Sequence, residues 1–204
     1  RNIGNSLSQF NAQNENTSLV RYYDGGSPTA LWAVRSLGID PASGKEVFLK
    51  KDGTYTYTYE TKDEVQVGDT EPDLEGVIGT TLYYKGFSFS AHLRYSLGGD
   101  VFNEALYTKV ENISEENYNQ DKRALYNRWE KPGQHARFKG ISLTETTQMS
   151  SRFVQRSNFL KGESFSAGYD FPKEWIEKAG FSALRLQVNM NDVFRISSVK
   201  EERG

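Results

Sequence analysis

The chain has 204 residues, which is enough for one domain with a core of fair size. Its net charge is −2 with 25% charged residues, so nothing indicates binding to nucleic acid or to an anionic membrane surface. The sequence contains no cysteine, which excludes disulfides and thiolate sites within it. No run approaches the roughly 18–20 apolar residues that a transmembrane helix needs.

The N-terminal region, residues 1–30, is polar and rich in Asn, Gln and Ser, and it predicts a loop. Arg1 is not followed by a charged segment and an apolar segment of the signal-peptide type, so an exported protein would carry its signal peptide upstream. A short strand is then predicted from Glu46 to Lys50. The Asp-Gly turn that follows leads into Thr54 to Tyr59, where Tyr alternates with Thr on the two faces of a second strand.

The segment from Gly76 to Leu97 predicts a longer hairpin that turns at Lys85 and Gly86. Folding there opposes Tyr84 to Phe87 and continues pairwise along both arms. One face is then largely apolar and the other is small or polar, and a shift of one residue would scramble this sorting. The register is therefore well specified by the sequence.

The hairpin alone fits two kinds of protein. Its second arm, Phe87 to Leu97, has 11 residues. At about 3.3 Å per residue and a tilt near 45° it rises roughly 25 Å, the height of the apolar band of an outer-membrane barrel. A soluble β-sandwich with one face of the hairpin in its core explains the alternation equally well.

The region after Leu97 is polar and long, and it contains a predicted helix. Ser114 is a suitable N-cap, acidic residues follow it, and Tyr118, Leu125, Tyr126 and Trp129 recur at helical spacing. Pro132 then ends the helix. Such a helix covers a loop or lines a binding mouth.

Alternation returns in the last part of the chain. Phe165 to Phe171 and Leu184 to Met190 each alternate apolar and polar residues, which predicts two further strands. Between them, Pro172 begins a single helical stretch and Gly180 is placed to end it. The residues after Asn191 predict an open loop.

Connection lengths favour the barrel. The links at one end of the sheet are short, and those at the other end are long, as in transmembrane barrels with short periplasmic turns and long extracellular loops. We therefore predict an all-β fold: an antiparallel transmembrane β-barrel segment of about four spanning strands, with long extracellular loops that contain a short helix. The predicted parts are an extracellular loop with a small hairpin (1–75), a spanning hairpin (76–97), a long extracellular loop (98–157), two spanning strands (158–191) and the start of a last extracellular loop (192–204).

Most of the chain beyond about residue 30 resembles the C-terminal region of the SusC/RagA family of TonB-linked outer-membrane proteins of Bacteroidota. The resemblance lies in the order and spacing of several stretches: Ala33–Glu46, Val67–Thr70, Leu82–Phe89, Tyr95–Asn103, Met149–Val154, Asn158–Leu160 and Val188–Phe194. It implies a barrel of about 22 strands around an N-terminal plug. It also implies energy-dependent import of glycans or peptides across the bacterial outer membrane.

The same resemblance implies the partners. They are the remainder of the barrel and its plug, a SusD-like surface lipoprotein, the TonB complex through an N-terminal part that precedes this sequence, and the glycan or peptide substrate. The family's plug and its terminal strand have no counterpart in these residues, so we expect them elsewhere in a longer protein. No cofactor and no nucleic-acid partner is expected.

Five residues are candidates for substrate contact. Tyr126, Trp129 and Tyr57 are able to stack on sugar rings or peptide side chains, or they pack the loops. Arg94 and Arg185 point into the lumen, where they either steer anionic substrate or pair with carboxylates. His92 is interpreted as a wall residue of the lumen. No nucleophile, phosphate-binding or dinucleotide motif is present, so we predict no enzyme; the alternative is a soluble β-rich module that binds carbohydrate or protein.

Overall fold

A computed structural model of the chain describes residues 2–15, 17–112, 121–142 and 144–199. No helix in these described ranges is both long and apolar enough to cross a membrane. The elements follow in chain order: α1 (Asn2–Gln13), β1 (Ala30–Ala33), β2 (Arg35–Ile39), β3 (Glu46–Leu49), β4 (Tyr55–Thr56), β5 (Val65–Asp69), β6 (Leu74–Tyr84), β7 (Phe87–Leu97), β8 (Asp100–Phe102), β9 (Val154–Arg156), β10 (Phe159–Asp170), α2 (Lys173–Ile176) and β11 (Arg185–Ser197). Single 3₁₀ turns occupy Thr61–Asp63, Lys122–Ala124, Ser151–Phe153 and Glu177–Ala179, and a π-helix spans Leu106–Glu111.

The chain divides into two compact units. The sheet unit consists of Pro72–Gly98 and Ser157–Ser198, and the loop unit consists of Arg1–Glu71, Gly99–Arg156 and Val199–Gly204. The sheet unit holds the four long strands in the order β11-β10-β7-β6, all antiparallel. The predicted antiparallel, mainly β architecture is confirmed.

The predicted hairpin of β6 and β7 is confirmed residue by residue. Tyr84 pairs with Phe87, and the same register continues to Leu74 opposite Leu97. Lys85 and Gly86 form the turn with φ of 45° and 85°. Two successive positive φ values are what a two-residue turn needs to match the right-handed twist of the strands.

The four strands together place apolar residues on one face of the sheet. Each row across the sheet continues this face from strand to strand: Tyr84, Phe87, Tyr169 and Leu186; Leu82, Phe89, Ala167 and Val188; Thr80, Ala91, Phe165 and Met190; Ile78, Leu93, Gly162 and Phe194; Gly76, Tyr95, Leu160 and Ile196. Nothing within the sheet unit forms a second layer over it. Phe87, Leu186 and Val188, for example, are each more than half exposed.

Two irregularities keep the apolar face continuous. Between Gly162 and Ser164 the pairing of β10 shifts, which leaves Glu163 as an extra residue beside β7. A bulge of this kind reverses which side chains face each way, so Leu160 and Phe165 share a face despite their odd spacing. In β11 Asp192 takes a positive φ of 51°, and the strand then continues to Ser197, beyond the predicted end at Asn191.

The short link between β10 and β11 matches its prediction. Pro172 directly precedes α2. Proline suits this position because the first N–H groups of a helix have no acceptor within the helix, so its missing N–H costs no hydrogen bond. Gly180 ends the helical stretch in the left-handed conformation with φ of 82°, as predicted.

The loop unit has a core of its own. Strand β1 pairs with β5, β2 with β3 and β3 with β4, and β8 pairs with β9. Two groups of buried apolar side chains lie among these elements and share a contact with Phe102: Leu106, Val110, Phe138 and Phe153 form the first, and Leu19, Leu31 and Ala33 the second. The long connection from β7 to β10 therefore contributes to a packed core.

The prediction of a loop across residues 1–30 is wrong at its start, where α1 forms. The helix is fixed by contacts that are distant in sequence. Phe10 packs against Tyr22 with ring centroids 5.1 Å apart. The Asn11 amide donates to the Tyr22 carbonyl and accepts from the Tyr22 N–H, so it binds that backbone as a strand would.

Two other predictions are also corrected. The strand predicted from Thr54 to Tyr59 ends at Thr56, because the Thr56 hydroxyl accepts the Thr58 N–H and bends the chain there. The first part of the helix predicted from Ser114, residues 114–120, lies outside the described ranges, and its described part contains only a single 3₁₀ turn at Lys122–Ala124. Its described end is not helical, since Asn127 takes a left-handed conformation with φ of 57°.

Candidate functional site

The polar face of the sheet is built from hydroxyl and amide side chains over most of its length. They come from all four strands: Thr81, Ser88, Ser90, Ser164, Ser166, Gln187, Asn189 and Asn191. His92 lies among them, with Nδ1 3.1 Å from the Ser164 hydroxyl. This surface offers hydrogen bonds of both polarities and little charge.

Charged residues lie toward the end of the polar face where the long connections leave the sheet. Arg94, Lys161 and Arg195 are opposed across three neighbouring strands. Like charges at this spacing repel. Arg94 is compensated by Glu163 at 2.9 Å and Lys161 by Asp192 at 2.5 Å. The two irregular positions of the sheet thus supply the two compensating carboxylates.

Arg94 and Arg185 both lie on the polar face, but at opposite ends of it. Arg185 lies near the short turns, where it donates to the Ser88 hydroxyl at 3.1 Å and lies 3.6 Å from the Asp170 carboxylate. Each arginine therefore has a carboxylate neighbour within the sheet. Both side chains are about half exposed, so these ion pairs contribute little to stability.

Tyr57 and Trp129 meet at the same turn of the loop unit. The Tyr57 hydroxyl donates to Oδ2 of Asp40 at 3.0 Å, and Trp129 Nε1 donates to the carbonyl of Pro41 at 2.8 Å. Gly44 closes the turn with φ of 70°, and a Cβ there would lie 2.4 Å from the Trp129 ring. Trp129 is consequently a packing residue in this structure, and the turn is fixed from two sides.

The carboxylate of Asp40 is stabilised in its ionised form. Hydrogen bonds from the Ser43 hydroxyl and the Ala42 N–H lower its pKa, and the Tyr57 hydroxyl lowers it further. The same contact with Asp40 raises the pKa of Tyr57. Tyr126, by contrast, is 63% exposed beside the exposed Leu125, so its ring is accessible to a ligand.

Two adjoining cavities of the loop unit, of about 500 and 310 Å³, have no counterpart among the predicted contact residues. Glu15, Thr61 and Lys62 line both. The larger cavity is also lined by Tyr59, Glu60 and Gln148, and the smaller one by Asn11, Arg21, Tyr23, Lys51 and Glu64. Tyr59 ends the alternating segment Thr54–Tyr59, whereas the other lining residues come from segments without clear periodicity, so no sequence pattern marks the set as neighbours.

A buried ion pair forms part of the smaller cavity. Arg21 Nε and its Nη2 donate to the two carboxylate oxygens of Glu64, at 3.0 and 2.9 Å. Burial raises the pKa of Glu64 even though Arg21 opposes that shift. Burial, followed by the charge of Glu64, raises the pKa of Tyr59 to about 12, so its hydroxyl stays protonated at neutral pH.

A third cavity of about 290 Å³ is more apolar. Leu19, Leu31 and Phe102 line it, together with Tyr107 and Glu104. Within the described ranges no group of three or more His, Cys, Asp or Glu side chains is arranged to hold a metal ion.

The chain is similar in sequence to two TonB-dependent receptors of Formosa agariphila. It is 27% identical to TonB-dependent receptor P3 over 168 residues, which are 82% of this chain and 16% of that protein. It is 22% identical to TonB-dependent receptor P39 over 159 residues, or 76% of this chain and 15% of the relative. The chain thus spans about a sixth of the length of these relatives. No family model matches it.

Solved structures of the RagAB peptide importer have the same fold. The "open-open" state matches with a TM-score of 0.69 over 84% of this chain and 19% of that chain, at 19% identity. A structure described as the RagAB peptide transporter matches with a TM-score of 0.71 over 85% of this chain and 20% of that chain, at 19% identity. The four-stranded sheet is not closed on itself, as expected of a part of a larger barrel. The resemblance drawn from the sequence is therefore confirmed: the chain is similar in sequence to TonB-dependent receptors, and it shares the fold of a segment of the RagAB importer.

Proposed function

We propose that this chain is part of an outer-membrane, TonB-dependent importer of glycans or peptides. The observation that carries the proposal is the uncovered apolar face of the sheet, which continues across four strands of 11 to 13 residues. A soluble domain would bury such a face, whereas a barrel wall presents it to lipid. The names of the two sequence relatives, both TonB-dependent receptors, support the same conclusion.

The arrangement in the membrane follows from that wall. We propose that the predicted spanning segments, 76–97 and 158–191, cross the membrane and that β11 continues the wall to Ser197, with 1–75, 98–157 and the chain after Ser197 on the extracellular side. The polar face then lines the lumen. A plug inside the barrel, the TonB complex and a SusD-like lipoprotein are the partners in this proposal. The name of the RagAB importer, part of whose fold this chain shares, denotes two components. This supports the proposal of a partner protein for the present chain.

The chain contributes wall, loops and contacts to cargo, with no covalent chemistry. The relatives are named as receptors and the structural neighbours as importers, which supports a role without catalysis. Tyr126 is accessible for stacking, and Tyr57, Arg94 and Arg185 are polar contacts that cargo reaches from the lumen or the loops. Trp129 belongs to this proposal only through its ring edge, since Nε1 and one ring face are occupied.

A growth experiment tests the importer role. The gene for the full-length protein is deleted, and the strain is grown on single peptides or single glycans as the limiting nutrient. We expect growth to fail on one of these substrate classes and to return when the gene is restored. A strain without functional TonB should show the same loss. Unchanged growth on every peptide and glycan offered would contradict the proposal.

A further inference from the structure

We infer that the two adjoining cavities of the loop unit form a peptide-binding site, in which Glu15 receives an ammonium group and Lys51 a carboxylate. The inference rests on the proposed import function and narrows its substrate class from glycans or peptides to peptides. The cavities measure about 500 and 310 Å³, which suits a short segment of a chain molecule. They share three lining residues, so a ligand in one reaches the other.

Most charges at this site are already paired. Arg21 and Glu64 bind each other through two hydrogen bonds, and Arg21 Nη1 also donates to the carbonyls of Ser18 and Val20. Lys62 and Glu60 form a second, more exposed pair. These groups give the cavities a fixed polar wall, but they leave little unbalanced charge for a ligand.

Two charged side chains at this site, Glu15 and Lys51, form no ion pair with another residue in the part of the chain that the structure describes. Glu15 follows α1, and Lys51 lies in the turn after β3, with Nζ donating to the carbonyl of Lys62 at 2.5 Å. Both side chains act on the same buried carboxyl: Glu15 raises the pKa of Glu64, and Lys51 lowers it. Glu15 and Lys51 therefore both lie near Glu64 in the smaller cavity, and their charges shift its pKa in opposite directions.

Other residues that line the two cavities are suited to a peptide main chain. The protonated hydroxyl of Tyr59 donates or accepts a hydrogen bond, and its ring is braced edge-on against Phe48 at 5.5 Å. Tyr23 lines the smaller cavity, with its ring centroid 4.6 Å from that of Trp32. Gln148 adds an amide to the larger cavity.

A neutral glycan fits this site less well than a peptide does. It would hydrogen-bond to Tyr59 and Gln148, but it would displace water from Glu15 and Lys51 without supplying an opposite charge. Removing a charged group from water without a partner is unfavourable, whereas a charge-assisted hydrogen bond stabilises the complex. An ammonium group and a carboxylate on one ligand satisfy both residues, and they are provided by peptide termini or by basic and acidic side chains.

The test is a binding titration with the purified full-length receptor. The ligands are tetra-alanine with free ends, the same peptide acetylated at its N-terminus, the same peptide amidated at its C-terminus, and a neutral oligosaccharide of similar size. The receptor variants are Glu15→Gln and Lys51→Met. Matched controls are Glu71→Gln and Lys45→Met, which are exposed residues of the loop unit that line neither cavity.

We expect each cavity variant to weaken binding of the free peptide roughly tenfold or more, and the controls to leave it unchanged. Acetylation should reproduce the loss caused by Glu15→Gln and should add nothing to it. Amidation should do the same for Lys51→Met. Because the capped peptides probe the wild-type receptor, this comparison does not depend on how well a variant folds. A peptide capped at both ends provides a further comparison. If it binds only when it carries a lysine and an aspartate, and if its affinity still depends on Glu15 and Lys51, then the ligand's charges come from its side chains and the inference stands.

Other outcomes overturn the inference. One is peptide affinity that neither cavity variant nor either cap changes. The other is binding of the neutral oligosaccharide at least as tightly as the free peptide. Both results leave the importer role intact, because that role is tested separately by the growth experiment. It is contradicted only if the deletion strain grows normally on every peptide and glycan offered.

Discussion

Arg152 lies between two buried carboxylates that come from distant parts of the chain. Its guanidinium binds Glu46, with Nη2 3.0 Å from Oε2, and it also binds Glu111. The Ser150 hydroxyl donates to Glu46 as well, at 2.5 Å. Burial would lower the pKa of Arg152, but the two carboxylates outweigh it and raise that pKa. The cluster joins β3 to the π-helix and to the 3₁₀ turn before β9.

Replacing Arg152 by methionine should therefore destabilise the loop unit. The variant leaves Glu46 and Glu111 buried without a cation, and breaking a buried pair in this way costs about 3–5 kcal/mol. Hydrogen–deuterium exchange of the full-length receptor should show lost protection in peptides that cover β3 and the π-helix. Arg35→Met is the matched control, because Arg35 is exposed. Equal protection in the two variants would show that the cluster does not hold these elements together.

Asp40 gives a prediction about pH. Its pKa in the folded chain is lowered below 3.8 by the hydrogen bonds from Ser43 and Ala42, while the unfolded value stays near 3.8. The stability that Asp40 contributes is thus present above about pH 3.8 and is lost as the pH falls through the lowered pKa. Exchange of the turn amides, corrected for the intrinsic effect of pH, should rise in that window. In the Asp40→Asn variant, amide exchange of the turn should be faster at neutral pH and should not rise further in the acid window. An identical rise at acid pH in both proteins would rule out Asp40 as its cause.

Side-chain roles were harder to predict than strand faces. Trp129 was a candidate for stacking because of its residue type, yet its indole binds the carbonyl of Pro41, 88 residues away. Glu15 and Lys51 carried no signal, since lone charged residues in loops are usually solvated. Their importance depends on which neighbours are already paired, and that is a property of the folded loop unit.

The hairpin of β6 and β7 shows how much of an element is encoded locally. Alternation of period two fixes the faces, and a turn of Lys85 and Gly86 fixes the register, so the pairs from Tyr84–Phe87 to Gly76–Tyr95 could be predicted from neighbouring residues. The structure adds two further pairs, Glu75–Ser96 and Leu74–Leu97. The short strands of the loop unit lack these signals. Strand β1 pairs with β5 and β8 with β9, partners that are separated by long stretches of chain. Their pairing follows from the shared core, which no local pattern specifies.

Gly86 should be the most sensitive position of the hairpin turn. Its φ is 85°, and a Cβ there would lie 2.7 Å from the carbonyl oxygen of Asp170, which is backbone and has little freedom to move. Gly53 has the same φ of 85°, but a Cβ there meets nothing within 4 Å. Alanine at either position costs about 1–2 kcal/mol for the left-handed conformation. Only Gly86→Ala adds the clash.

The two glycine variants can be compared by the yield of folded full-length receptor in the outer membrane. Folded barrel is measured as the fraction that resists unfolding in detergent without heating and so migrates differently in a gel. We expect Gly86→Ala to lower that fraction clearly, and Gly53→Ala to lower it little. Equal yields would mean that the turn shifts to accept the methyl group.

At the scale of the whole molecule, the sheet has two faces of different polarity. Across all four strands one face is apolar, while the other carries hydroxyl, amide and paired charged groups. Water on both faces would leave the apolar rows as a large exposed patch, which is rare in soluble proteins. Lipid on one side and an aqueous lumen on the other would satisfy both faces, and this is the arrangement proposed for the chain.

Ala167 and Ser166 test this separation at a single depth in the sheet. They are adjacent on the central strand β10, where Ala167 is opposed to Phe89 and Val188, and Ser166 to hydroxyl and amide groups on the other face. In the proposed barrel wall, Ala167→Arg places a charge toward lipid, which costs about 2–4 kcal/mol near the middle of the bilayer, whereas Ser166→Arg places it toward water. Folded receptor in outer-membrane fractions should fall for Ala167→Arg and stay near the wild-type amount for Ser166→Arg. The reverse order would place lipid on the polar face, and equal tolerance would mean that neither face of this strand contacts lipid.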